Sequence, residues 1–230
     1  MSSSPAHAIA TSHEPIAGLH APHRYVYERV IDDISEMDWR SLSRDELTHV
    51  AWAYYYFSVQ FRENLEIARN LFPDDPQLER LDRGERDTDN LSPWPGVAAP
   101  GERMNHDEFM RRLLLLSPIP EQMRRCFESM GQAYLDSVRK MDQTTRALSL
   151  ASYEDGGLES VFGAMLTAQD WNSPLLQAFR HFLEEHIRFD SDPEQGHGAL
   201  CRHLAPDDSI LPLWVAFHNL LATATKAVPT

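Results

Sequence analysis

The chain is poor in cysteine, poor in cations and without a long apolar run. Its two cysteines, Cys126 and Cys201, make no CxxC pair in 230 residues. That argues against a disulfide framework or a structural zinc knuckle and suits a reducing compartment, so a cytoplasmic location is expected. Lys and Arg number 21 against 35 Asp and Glu, a net charge of −14. So acidic a chain is a poor match for nucleic acid or an anionic membrane. No apolar run reaches the length of a bilayer span. The segment Met1–Pro22, rich in Ser, Ala, Pro and His, has no apolar stretch of signal-peptide type and reads as a flexible arm over 1–22. No Gly/Ser linker divides the remainder, and 23–228 reads as a single domain.

What the chain does have is helical periodicity. Val26, Val30, Ile31 and Ile34 share one side of a predicted helix over Tyr25–Met37. A second opens near Ser43, with Asp45 and Glu46 in its first turn, and runs to about Leu71, where Pro73 and Pro76 end it. Its aromatic stripe (Trp52, Tyr54, Tyr55, Tyr56, Phe57, Phe61) reads as core, with room for a tyrosine or two to line a pocket. A short helix over Gln77–Asp82 follows. Gly84–Gly101 holds Pro93, Pro95 and Pro100 and is expected to be irregular. Loops this long inside a domain are often functional, and Trp94 either caps a pocket or anchors the loop. Further helices are expected over Glu102–Leu116, Glu121–Leu148, Tyr153–Ala168, Pro174–Phe189, Ala199–Leu204 and Ile210–Lys226, with an irregular piece over Asp190–Gly198. With no hairpin signal and no internal repeat, the fold class is all-α, a helix bundle.

Chemistry gathers at three places. His186 and Asp190 lie four apart and project from one helix face. His197 follows between Gly196 and Gly198, which would let the backbone bend. Glu102 and His106 repeat the carboxylate–imidazole pairing at the same spacing. Glu154, in Tyr153-Glu154-Asp155, falls near the apolar face of its helix. Singly, each is an ordinary surface feature. Together they supply three carboxylates and three imidazoles, a set that suits non-haem iron or manganese better than zinc. Helix bundles build dinuclear carboxylate sites from inward Glu and His in this way. His49, His181, His203 and His218 read as structural or surface residues. Arg62 and Glu63 read as a surface ion pair, and Arg188 as exposed pairing. Neither cysteine has an activating neighbour.

The stretch Phe179-Arg-His-Phe-Leu-Glu-Glu-His186-Ile-Arg-Phe-Asp190, ending in Gly196-His197-Gly198, resembles the last metal-binding helix of the haem-oxygenase-like diiron oxidases and oxygenases. Glu154-Asp-Gly-Gly-Leu-Glu-Ser-Val-Phe162 resembles the helix carrying that family's bridging glutamate, and Asn105-His106-Asp-Glu-Phe109 its first histidine segment. The resemblance covers roughly residues 45–205 by order and spacing of elements. It implies a seven-helix haem-oxygenase-like bundle without haem. It also implies two ferrous ions, dioxygen, an external electron donor (a redox partner or small reductant) and a homodimer. The implied reaction is N-oxygenation or oxidative C–C cleavage of a small amino acid or amine. Matching positions carry over His106, Glu154, His186, Asp190 and His197 as metal ligands. Glu102 is taken as the first carboxylate because it would share a helix face with His106; Asp89 and Glu85 are its rivals. Six residues, Ser191 to Gly196, separate Asp190 from His197, more than the family's usual spacing. Either the helix unwinds there, near Pro193, or Asp192 or Glu194 replaces Asp190. Two other readings stand beside this one. The first is a metal-free thiaminase-like or cofactor-maturation enzyme on the same fold. The second is a non-catalytic helical binding protein, whose candidate ligands would point outward and apart.

Overall fold

The computed structural model describes residues 23–86, 91–190 and 196–226, excluding the side chain of Asp190. The expected arm over 1–22 and the rival carboxylates Asp89, Asp192 and Glu194 lie outside the described residues. The described residues form helices and no strands. The helices are α1 (Val26–Ser35), α2 (Arg44–Leu71), α3 (Pro76–Glu85), α4 (His106–Leu113), α5 (Glu121–Val138), α6 (Gln143–Ser152), α7 (Leu158–Met165), α8 (Pro174–Asp190), α9 (His197–Cys201) and α10 (Leu211–Ala224). None is long and apolar enough to cross a membrane.

The central rod is α2, about 42 Å long at 1.5 Å per residue. Its start is set by a reciprocal cap: Ser43 Oγ accepts from the Glu46 amide, and the Glu46 carboxylate accepts from the Ser43 amide at 2.7 Å. Helices α4, α5, α6, α8 and α10 pack against it. Buried apolar side chains from Tyr27 to Ala224 join in one cluster. The stripe Trp52, Tyr54, Tyr56, Phe57 and Phe61 is part of it. The Tyr54 ring lies 5.5 to 5.7 Å from the rings of Phe57, Phe162, Phe179 and Phe182.

Several boundaries differ from the sequence reading; among them, α9 starts at His197 rather than Ala199. Helix α3 runs past Asp82 to Glu85; Leu78, Leu81 and Glu85 form its buried face. Asp75 caps it, its carboxylate accepting from the Gln77 and Leu78 amides. Helix α4 starts at His106 rather than Glu102, because Asn105 is extended (φ −68°, ψ 154°) and Glu102 closes a turn onto Ala99. The predicted helix over Glu121–Leu148 is two helices, broken where Asp142 caps α6 by accepting from the Thr144 and Thr145 amides. Between α6 and α7 the chain widens into a π-turn over Tyr153–Gly157. There Gly156 takes φ +94°, a conformation that favours glycine.

Candidate metal centre

Five side chains converge from five elements. Glu85 ends α3, His106 begins α4, Glu154 sits in the π-turn, His186 lies one turn before the end of α8, and His197 begins α9. All five are buried. The Glu85 carboxylate straddles the group: one oxygen lies 2.9 Å from His106 Nδ1 and the other 3.0 Å from His197 Nδ1. Glu154 Oε2 is 3.4 Å from His197 Nδ1, and His186 Nε2 is 3.1 Å from His106 Nδ1. His186 Nδ1 lies 2.7 Å from the Phe182 carbonyl oxygen. A carbonyl only accepts, so Nδ1 carries the proton and Nε2 of the neutral ring keeps its lone pair for the centre.

The packing that allows this convergence is tight. A Cβ on Gly84 would lie 3.0 Å from His197 Nε2, and one on Gly198 would lie 2.7 Å from the Glu154 carbonyl oxygen. Bare glycines at both places let α3, α9 and the π-turn close on one another. Gly196 and Gly198 were expected to bend the chain. Gly196 instead has an ordinary extended conformation (φ −61°, ψ 155°) and Gly198 is helical, so Gly198 serves close approach rather than bending.

Electrostatics separate the two carboxylates. Burial would raise the Glu85 carboxyl, but the imidazoles of His106 and His197 hold it well below the usual carboxylate range. Glu154 is raised, chiefly by burial, with His197 opposing. His186 is pushed down to about 3 by burial and by neighbouring His106. For His197 burial acts downward, yet Glu85 and Glu154 carry it well above the normal imidazole value. Hydrogen bonding stays incomplete: His106 Nε2 and Glu154 Oε2 are buried without a hydrogen-bond partner. Such atoms are rare in protein interiors and call for an explanation. His49 Nδ1 and Trp52 Nε1 share the condition elsewhere on α2, so an unpartnered atom is not sufficient. The donor set is the stronger argument. Glu85, Glu154 and His197 each present a ligand atom within 4.8 Å of the others, and two more imidazoles adjoin them. Paired anionic oxygens among imidazole nitrogens suit a hard-to-borderline divalent cation.

A cleft leads from this cluster to the surface. Glu85, His106, Glu154 and His186 form its floor, and Tyr54, Phe57, Phe61, Leu65, Leu158 and Phe182 its wall. Ser58, Arg62, Glu66, Asp82, Arg86, Asn105 and Asp107 complete the lining. It spans about 570 Å³ counted out to its open mouth.

Of the residues expected as ligands, His106, Glu154, His186 and His197 come together. Asp190 continues α8 one turn beyond His186; the helix does not unwind before it. Glu102 is not at the site. It accepts from the Ala99 amide at 3.0 Å and pairs with Arg112 at 2.7 Å on the surface. The expected shared face with His106 does not exist, because no helix joins the two. Glu85 occupies the place instead. The signal for it was the spacing Leu78, Leu81, Glu85, which puts the carboxylate on the buried face of a longer α3.

Other expectations resolve as well. Trp94 stacks on His181 at 4.5 Å, and His181 Nε2 meets the Leu91 carbonyl at 2.9 Å, so this tryptophan anchors its loop to α8. His203 pairs with Asp75 at 2.6 Å. Arg188 pairs with Glu185. Arg62 pairs with Asp107 and Glu66 rather than Glu63, which pairs with Arg139 and Arg146. Cys126 is exposed, Cys201 is buried, and neither lines the cleft. In comparisons with known proteins no family model matches the chain, and no match is found among curated proteins or solved structures.

Proposed function

We propose that this chain is a non-haem diiron oxygenase or oxidase on a seven-helix haem-oxygenase-like bundle, acting on a small amino-acid- or amine-type substrate. The observation that carries the reading is the inward convergence of two carboxylates and three imidazoles, with His106 Nε2 and Glu154 Oε2 left without hydrogen-bond partners. Glu85, Glu154, His106, His186 and His197 would hold the metal, and Asp190, four residues after His186 in sequence, would be a further ligand. Iron bound there would supply the electron transfer and dioxygen reduction that side chains cannot. The chain's own contribution is positional. Glu85 and Glu154 offset cationic charge in a buried setting, and the Phe182 carbonyl fixes the His186 tautomer. The aromatic wall keeps bulk water from the floor. N-oxygenation or oxidative C–C cleavage follows from the same reading, with electrons from a redox partner or a small reductant. A metal-free thiol mechanism finds no support in the cleft, which neither cysteine lines.

Anaerobic loading with ferrous iron, followed by metal analysis and exposure to oxygen, tests this. About two irons per chain and a transient visible absorbance are expected. Iron content unaltered in a His106→Ala/His186→Ala double variant would sink the reading.

A further inference from the structure

The five buried donor side chains divide into two sets by distance. Donor atoms about 2.1 Å from one cation and at right angles to each other lie about 3.0 Å apart. The contacts at the centre fall near that spacing. Glu85 Oε2 lies 2.9 Å from His106 Nδ1, which lies 3.1 Å from His186 Nε2. Glu85 Oε1 lies 3.0 Å from His197 Nδ1, which lies 3.4 Å from Glu154 Oε2. The first set joins the end of α3 to α4 and α8, and the second joins it to the π-turn and α9.

Hydrogen bonds alone leave both sets incomplete. His106 Nδ1 faces a carboxylate oxygen and the lone pair of His186 Nε2, and one proton cannot serve both fully. Glu154 Oε2 makes no hydrogen bond. A cation on each side would complete them. Only Glu85 belongs to both sets, with one oxygen in each. Glu154 enters the second set alone, through Oε2. Bare Gly84, where a Cβ would lie 3.0 Å from His197 Nε2, lets that second set close on the end of α3.

Resting on the function proposed above, we infer that Glu85 is the carboxylate shared by two cations, one held with His106 and His186 and the other with Glu154 and His197. The resemblance to the diiron oxidases gives the bridge to Glu154. Here Glu154 serves one cation only. A shared carboxylate offsets the repulsion between adjacent cations, so the residue in that place governs the binding of both.

The test is an anaerobic titration of metal-free full-length protein with Co2+, followed by visible absorbance and metal analysis. The unaltered chain should take up two ions. Glu85→Gln should weaken both binding steps by at least about a hundredfold. Glu154→Gln should lose one ion and hold the other within about tenfold of its original affinity, and His186→Ala should do the same. The double variant Glu154→Gln/His186→Ala should hold none, because the two single variants lose different ions. Loss of both ions in Glu154→Gln with one kept in Glu85→Gln would return the bridge to Glu154 and overturn the proposal. One ion kept in the double variant would overturn it too. Mn2+ in the unaltered chain gives a reading that needs no variant to fold. At two equivalents the ions should be magnetically coupled, and the paramagnetic resonance spectrum of isolated Mn2+ at that loading would overturn the proposal. A chain that binds no Co2+ would remove the function reading and the bridge with it, whereas exchanged roles of Glu85 and Glu154 would remove the bridge alone.

Discussion

Tyr153 and Glu154 are neighbours in sequence, yet they belong to two buried polar clusters of opposite kind. On the Tyr153 side, Gln60 donates to the Tyr153 hydroxyl at 3.0 Å and accepts from Tyr134. Asn64 bridges Ser149 at 3.1 Å and Arg146 at 2.8 Å, and Arg146 reaches Glu63 at 3.1 Å. None of these side chains is left with an unpartnered buried atom. On the Glu154 side, acceptors and imidazole nitrogens face one another, and His106 Nε2 and Glu154 Oε2 make no hydrogen bond. Apart from half-buried Glu63 at the edge of the first, the side chains of both clusters are buried. The difference is satisfaction: a complete network locks α2 against α5 and α6, whereas an incomplete one is costly unless something else completes it.

That contrast can be broken from either side. The largest effect is expected on the satisfied side. Arg146→Met leaves buried Asn64 without its guanidinium donor and removes one of the two partners of half-buried Glu63, and should cost about 3 kcal/mol in chemical denaturation while leaving iron stoichiometry alone. A loss of iron in that variant would mean that the two clusters are one functional unit. Next comes Glu85→Gln, which should weaken ferrous binding by at least about a hundredfold, at or beyond the upper end of effects seen for residues that merely support a ligand. Glu102→Gln should leave the affinity as it was, and the reverse ranking in equilibrium metal titrations would restore Glu102 as the ligand.

A smaller effect concerns packing. Gly198→Ala places a Cβ against the Glu154 carbonyl and should cost about 1–3 kcal/mol of stability as well as iron affinity. The control Gly163→Ala, where a Cβ meets open space on helix α7, should be neutral or slightly stabilising. Equal thermal shifts in the two variants would argue against the close approach. The smallest effect is a pH dependence. Burial would raise Glu63, but Arg139 and Arg146 bring its carboxyl below the usual value. A depressed folded value means that the stabilisation is present above the unfolded value near 4.3 and is lost as the pH falls through the folded one. The stability gap between the unaltered chain and Glu63→Gln should therefore be widest near neutral pH and shrink below about pH 4. A gap that grows on acidification would contradict the ion pairing.

Helix content was legible because apolar spacing, caps and proline stops are local signals. Ser43 with Glu46 marked the start of α2, and Pro73 with Pro76 lay just beyond its end. His106, Glu154, His186 and His197 were legible as a set because helical spacing and the family resemblance both pointed at them. Glu102 misled because four-residue spacing has meaning only on a helix, and the chain before Asn105 is a turn. Glu85 is hard to read as a ligand from the sequence because the local pattern ends α3 at Asp82, one turn before its true end.

The sequence by itself determined an all-helical chain and the residue types able to surround a cation, since both follow from side-chain chemistry and near-neighbour periodicity. Which glutamate joins the histidines, that Gly84 and Gly198 permit the closure, and that Arg62 turns to Asp107 and not to Glu63 were decided only by tertiary structure. These are contacts between residues distant in the chain, and they depend on how helix ends meet rather than on any local pattern.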